Sequence, residues 1–150
     1  MKTDDAVAAF SERFGILFRP ASPTEVATAD SAGVPISLLE FYRDYEPTDP
    51  GRGEIRFFPL EKIVAEMTDF VPGCNLSPHG YFVVGSTDHG DVFCVRPKDG
   101  GDFRTFAVQR FSHEVDFEQI HPNQICEFAE TVARGLPEFL ARAATDRLGE

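Results

Sequence analysis

Three β-rich runs, YFVVGS, DVFCVR and FRTFAVQ, fall between Tyr81 and Gln109. They are separated by turn chemistry, and together they predict an antiparallel meander. Upstream of them the hydrophobic period is helical. Thr3-Asp4-Asp5 opens a segment with Val7, Phe10 and Phe14 at helical spacing, closed by Gly15. Ser22-Pro23-Thr24-Glu25 is a capping box with proline at the first helical position, and Gly33 ends the segment it starts. A third helix begins near Pro35, carries Leu38, Leu39, Tyr42 and Tyr45 on one broad face, and stops before Pro47.

EPTDPGRGE reads as a loop within one core. IRFFPL reads as a short strand, and Glu61 to about Phe70 as a helical turn or two around Ile63, Val64 and Met67. VPGCNLSPHG connects this to the meander. Beyond the meander, Ile125, Phe128, Val132, Leu136, Phe139 and Leu140 predict helix from about Asn123 to the C-terminus, kinked or split by Gly135 and Pro137. Helices, then strands, then helix is an α+β order, expected as one domain over 1–150.

Charge narrows the function classes. Against 14 Lys and Arg stand 25 Asp and Glu, a net charge of −11, which disfavours direct binding of nucleic acid and favours a basic partner. Cys74, Cys94 and Cys126 are odd in number and widely spaced, which predicts reduced core residues in a cytoplasmic protein. The N-terminus MKTDDAVAAF lacks the apolar stretch of a signal or membrane helix.

The segment GSTDHGD, residues 85–91, resembles a site at first sight. A phosphate cradle needs a helix after it, but VFCVR follows, and no G-K-[ST] or G-x-G-x-x-G spacing is present. A G-x-S-x-G nucleophile elbow is also absent. A metal-dependent hydrolase would have to gather Asp88, His89 and Asp91 on one ion, although adjacent residues of a tight hairpin diverge. The residues fit a hairpin turn in which Gly90 takes a positive φ. No cofactor, metal or catalytic constellation is implied, so the expectation is a non-enzymatic domain.

The succession VPISLLEFYRDY, IRFFPLEKI, YFVVGSTDHGDVFCV and GLPEFL resembles the SMI1/KNR4 family of the SUKH superfamily. Pro35, Leu39 and Tyr42 match its proline-led helix; Gly85, Gly90 and Asp91 match its strand, polar turn and Gly-Asp pair. The chain departs from the family at YEPTDPGRGE and in having no tryptophan. The resemblance implies an α+β, non-enzymatic protein-binding domain with a central antiparallel sheet and helices packed mainly on one side. Its bacterial members are immunity proteins that neutralise polymorphic toxins, often nucleases, and its fungal relatives are regulatory interaction proteins. With the charge, it directs attention to the acidic run Glu40, Asp44, Glu46, Asp49 and Glu54 as the surface for a basic toxin domain.

Overall fold

The structure is a computed structural model that describes residues 2–97 and 101–148. Helix α1, Thr3–Phe14, buries Ala6, Val7 and Phe10 and ends at Gly15, whose φ of 67° suits a residue without a Cβ. Helix α2, Pro23–Ala32, starts with the expected reciprocal cap. Glu25 N donates to Ser22 Oγ (3.1 Å), and Ser22 N donates to Glu25 Oε1 (2.9 Å). Helix α3, Ile36–Asp44, is capped by Pro35 and buries Leu38, Leu39, Phe41 and Tyr42. Two-residue strands β1, Phe18–Arg19, and β2, Glu46–Pro47, pair beside it.

The main sheet follows. Strands β3 (Ile55–Phe57), β4 (Phe82–Thr87), β5 (Val92–Val95), β6 (Val108–Phe111) and β7 (Glu130–Ala133) lie in that order, every neighbouring pair antiparallel. Helix α4, Leu60–Thr68, and the single turn α5, Gly73–Leu76, connect β3 to β4. Helix α6, Leu136–Ala144, ends the fold and packs along α1. The α+β class and the meander are as expected.

Two expectations are corrected. The run FRTFAVQ is not one strand. Asp102 captures its start, accepting from Arg104 N (2.6 Å) through Oδ1 and from Thr105 N (2.9 Å) through its carbonyl, so pairing begins at Val108. The helix expected from Asn123 is instead a 3₁₀ segment, Pro122–Phe128, then strand β7, and only then α6. The backbone of 130–133 completes the edge of β6, and Gly135 lies so close to the Arg104 carbonyl that a Cβ would overlap it.

Helices α1, α3 and α6 share one face of the sheet, and α4 lies on the other. Phe57 and Phe93 meet Phe10, Phe41 and Phe139 from α1, α3 and α6, whereas the alternate residues Arg56, Ser86 and Val92 share a pocket with Lys62 and Glu66 of α4. A sheet buried on one side only would leave Val83, Cys94 and Phe111 in water, and all three are buried. Of the cysteines, all reduced, Cys94 is in the core but Cys126 is exposed on the 3₁₀ segment. No helix among the described residues is long and apolar enough to cross a membrane.

Candidate protein-binding surface

Residues 88–90 form the turn between β4 and β5. Thr87 N donates to the Asp91 carbonyl (2.9 Å), Asp91 N donates to Thr87 Oγ1 (3.1 Å), and Gly90 has φ 96°. Thr87, not the Asp91 carboxylate, therefore holds the turn. Gly85 sits at the irregular step of the β4–β5 pair, where a Cβ would overlap the Arg56 carbonyl across the strands. Asp88 and His89 are exposed, and their side chains lie 3.7 Å from each other. Among the described residues no group of three His, Cys, Asp or Glu is placed to hold a metal ion.

Asp91 turns away from its neighbours. Its Oδ2 accepts from Arg110 Nε (2.8 Å) and from the terminal guanidinium nitrogen (2.6 Å), while Oδ1 accepts from His113 N (2.8 Å) and lies 2.6 Å from His113 Nδ1. An ionised carboxylate requires Nδ1 to carry the proton. Burial disfavours the carboxylate, but the His113 and Arg110 hydrogen bonds together outweigh it and bring its pKa down to about 2. Asp91→Asn should therefore cost about 2 kcal/mol of stability at neutral pH, in line with lost charge-assisted hydrogen bonds. With the folded pKa below the unfolded one, this contribution is present above about pH 4 and lost as the pH falls towards 2. Equal urea midpoints for parent and variant at pH 7 would contradict the assignment.

Of the acidic run, Glu40, Asp44, Asp49 and Glu54 are exposed, but Glu46 is not. Strand β2 turns it inward, 1% exposed, where its Oε2 accepts from Leu60 N at the start of α4 (3.1 Å) and its Oε1 lies 3.3 Å from Arg19. Arg19 is also held by both oxygens of Glu25, at 3.0 and 3.1 Å. Two carboxylates thus share one guanidinium. Its hydrogen bonds hold Glu25 well below the usual carboxylate range, whereas burial, then the hydrogen bond with Glu25, pushes Glu46 up to about 7 against the pull of Leu60 N and Arg19. Glu46 is thereby removed from the candidate partner surface.

The loop after β2 is fastened rather than loose. Thr48 donates to the Leu17 carbonyl through both N (2.8 Å) and Oγ1 (3.0 Å), Asp49 Oδ1 accepts from Gly51 N (2.7 Å), and Phe57 N donates to the Pro50 carbonyl (3.1 Å). Asp88 N donates to the Glu54 carbonyl (3.1 Å), which brings exposed Glu54 and Asp88 together at one end of the sheet. Glu40 and Asp44 stand one turn apart on α3 with Asp44 at its C-terminal end. Like charges at that spacing, and an anion at a helix C-terminus, are both unfavourable for an isolated helix.

The cations are distributed differently. Arg13, Arg19, Lys62, Arg104, Arg110 and Arg142 are all engaged in ion pairs within the chain. Glu40, Asp44, Asp49 and Glu54 are in none of the ion pairs formed among the described residues. No family model matches the chain, and no curated protein matches it in sequence. The surface can do two things: raise the encounter rate with a positively charged partner, and present fixed carboxylates to its Lys and Arg side chains. Sequence reasoning missed Arg19, Arg110 and His113, because Asp91 lies 19 and 22 residues from Arg110 and His113 and Glu46 reaches Arg19 only through the pairing of β1 with β2. The only local signal was the capping-box Glu25.

Proposed function

We propose that the protein is a non-catalytic protein-binding domain, an immunity protein of the SMI1/KNR4 kind that neutralises a basic toxin domain such as a nuclease. The observation that carries this reading is the balance of charge: 25 Asp and Glu stand against 14 Lys and Arg, six of those cations are engaged in ion pairs with the chain's own carboxylates, and Glu40, Asp44, Asp49 and Glu54 stay exposed. The nucleic-acid-binding surface of a nuclease is basic because it must hold phosphates, so an acidic domain can cover it and compete with nucleic acid. The order of the proline-led helix, the meander and the Gly-Asp hairpin supports the family assignment. A regulatory or scaffold role would use the same surface on a different partner.

The test is co-expression with the protein encoded beside this gene. Toxicity of that protein alone, relieved when this chain is present and accompanied by a one-to-one complex, is the expected result. A harmless neighbour, or toxicity that this chain does not relieve, would overturn the immunity reading. Substitution of Glu40 and Asp44 together by Lys should slow association about threefold or more at low salt, with the wild-type rate falling as salt rises. The same variant should be as stable as the parent or up to about 0.5 kcal/mol more stable, because a cation at position 44 suits the helix C-terminus while the like-charge pair at 40 and 44 persists with its sign reversed. A wild-type association rate indifferent to salt would remove this surface.

A further inference from the structure

On the face of the sheet opposite the aromatic core, a pocket of about 280 Å³ opens between strands β3 to β5 and helix α4. Arg56 and Ser86 are cross-strand partners, as are Ser86 and Val92, so the three side chains share one wall. Phe58, Val71, Lys62 and Glu66 are among the other lining residues. Arg56 Nε is fully buried there and meets no acceptor, and its guanidinium forms no ion pair among the described residues. A charged N–H removed from water without a partner is destabilising, so the arrangement has the form of a donor awaiting an acceptor.

The other charges of the pocket cancel. Lys62 Nζ lies 3.4 Å from Glu66 Oε1 and rests over the rings of Phe58 and Phe70, at 5.6 and 4.2 Å from their centroids. Arg56 is left as the one uncompensated cation among the lining residues, which matches a ligand with a single negative charge. A guanidinium edge pairs two parallel N–H groups with the two oxygens of a carboxylate. Val71, one of the lining residues, is 55% exposed, and Phe70 before it, whose ring lies under Lys62, is 46% exposed.

We propose that this pocket is a binding site for a carboxylate carried on a short apolar group, with Arg56 as the anchoring fork and Ser86 as a second donor. Such a group has two sources, the C-terminal residue of a partner protein or a free aliphatic acid. The site rests on the pocket alone and stands whether or not the acidic surface binds a toxin.

The test follows the Arg56 Nε–H signal and the Ser86 and Gly90 amide signals in ¹H–¹⁵N spectra during titration. The probes are 4-methylpentanoate, its amide, inorganic phosphate, and an acetylated pentapeptide ending in a free leucine carboxylate. Saturable shifts in the low-millimolar range with the acid, and at least about tenfold weaker binding of the amide and of phosphate, are expected for a monocarboxylate site of this size. A peptide that binds about tenfold tighter than the acid identifies a chain end as the source; equal affinity identifies the small acid. Arg56→Met should abolish the Ser86 and Gly90 shifts while leaving the melting temperature of the free protein unchanged or raised, since it removes the unpartnered N–H. Arg56→Lys keeps the charge without the fork and should weaken binding about tenfold. Amide binding equal to acid, phosphate binding as tightly as the acid, no saturation, or shifts that persist in Arg56→Met or are unweakened in Arg56→Lys would each overturn the proposal.

Discussion

Phe57→Ala is expected to destabilise the protein by about 3–5 kcal/mol, the range for truncating a fully buried Phe. Phe57 is the residue on which the aromatic core converges. Its ring centroid lies 6.0 Å from Phe10 of α1, 6.1 Å from Phe18 of β1, 5.8 Å from Phe41 and 5.9 Å from Tyr42 of α3, and 6.3 Å from Phe139 of α6. The Tyr42 ring is stacked on it, and the Tyr42 hydroxyl donates to the Phe58 carbonyl next to it (2.8 Å). Truncation therefore opens a cavity shared by several elements, none of which can close it without leaving its other contacts. Leu17, 70% exposed, provides the contrast: Leu17→Ala should stay within about 0.5 kcal/mol of the parent. Urea denaturation at pH 7 measures both. A loss below about 1 kcal/mol for Phe57→Ala would mean that β3 does not occupy the centre of this core.

Glu46→Gln should have the second largest effect and the opposite sign, stabilising the protein above pH 7 by about 3 kcal/mol, the difference between an ordinary carboxyl and one titrating near 7 at about 1.4 kcal/mol per unit. A folded pKa raised above the unfolded one means that the native state binds the proton more tightly. The associated stability is complete below about pH 4.5 and is lost as the pH rises through about 7. Glutamine imitates the protonated acid. Its carbonyl can still accept from Leu60 N, and its amide can donate to Glu25, which Arg19 keeps ionised. Parent and variant should be similar at pH 4.5 and diverge towards pH 8 in thermal unfolding followed by circular dichroism. A variant less stable than the parent at pH 8 would show that the Arg19 contact at 3.3 Å outweighs burial.

The acidic residues therefore divide by environment in a way that charge counting does not reveal. Asp44 and Glu46 are two residues apart, yet one is exposed at a helix end and the other is closed inside a strand pair. Asp88 and Asp91 flank the same hairpin turn, yet one faces water and the other binds Arg110 and His113. An interaction surface drawn from the run of acidic letters alone contains a residue that no partner can reach. With Glu46 removed, Glu54 and Asp88 at one end of the sheet become as pertinent as Glu40 and Asp44 on α3.

The sequence by itself determined the features that depend on residues within one turn of each other. The Ser22–Glu25 cap, the helix ends at Gly15 and Gly33, the positive φ of Gly90 and the inward face of α3 all follow from local donors, acceptors and steric limits, and all are present. Tertiary structure decided the rest. Residues 130–133 carry apolar spacing that a helix could use, but the unpaired edge of β6, some twenty residues upstream, offers their backbone a ladder, and long-range pairing overrides a weak local preference. The same holds for the sheet's second buried face, for Glu46 enclosed by Arg19, Glu25 and Leu60, and for Arg56 turned into a pocket without an acceptor. Each depends on which distant segment packs alongside, and no periodicity within a segment encodes that. A side chain's charge is written in its own letter, whereas its access to water and its partners are set by chain that arrives from elsewhere.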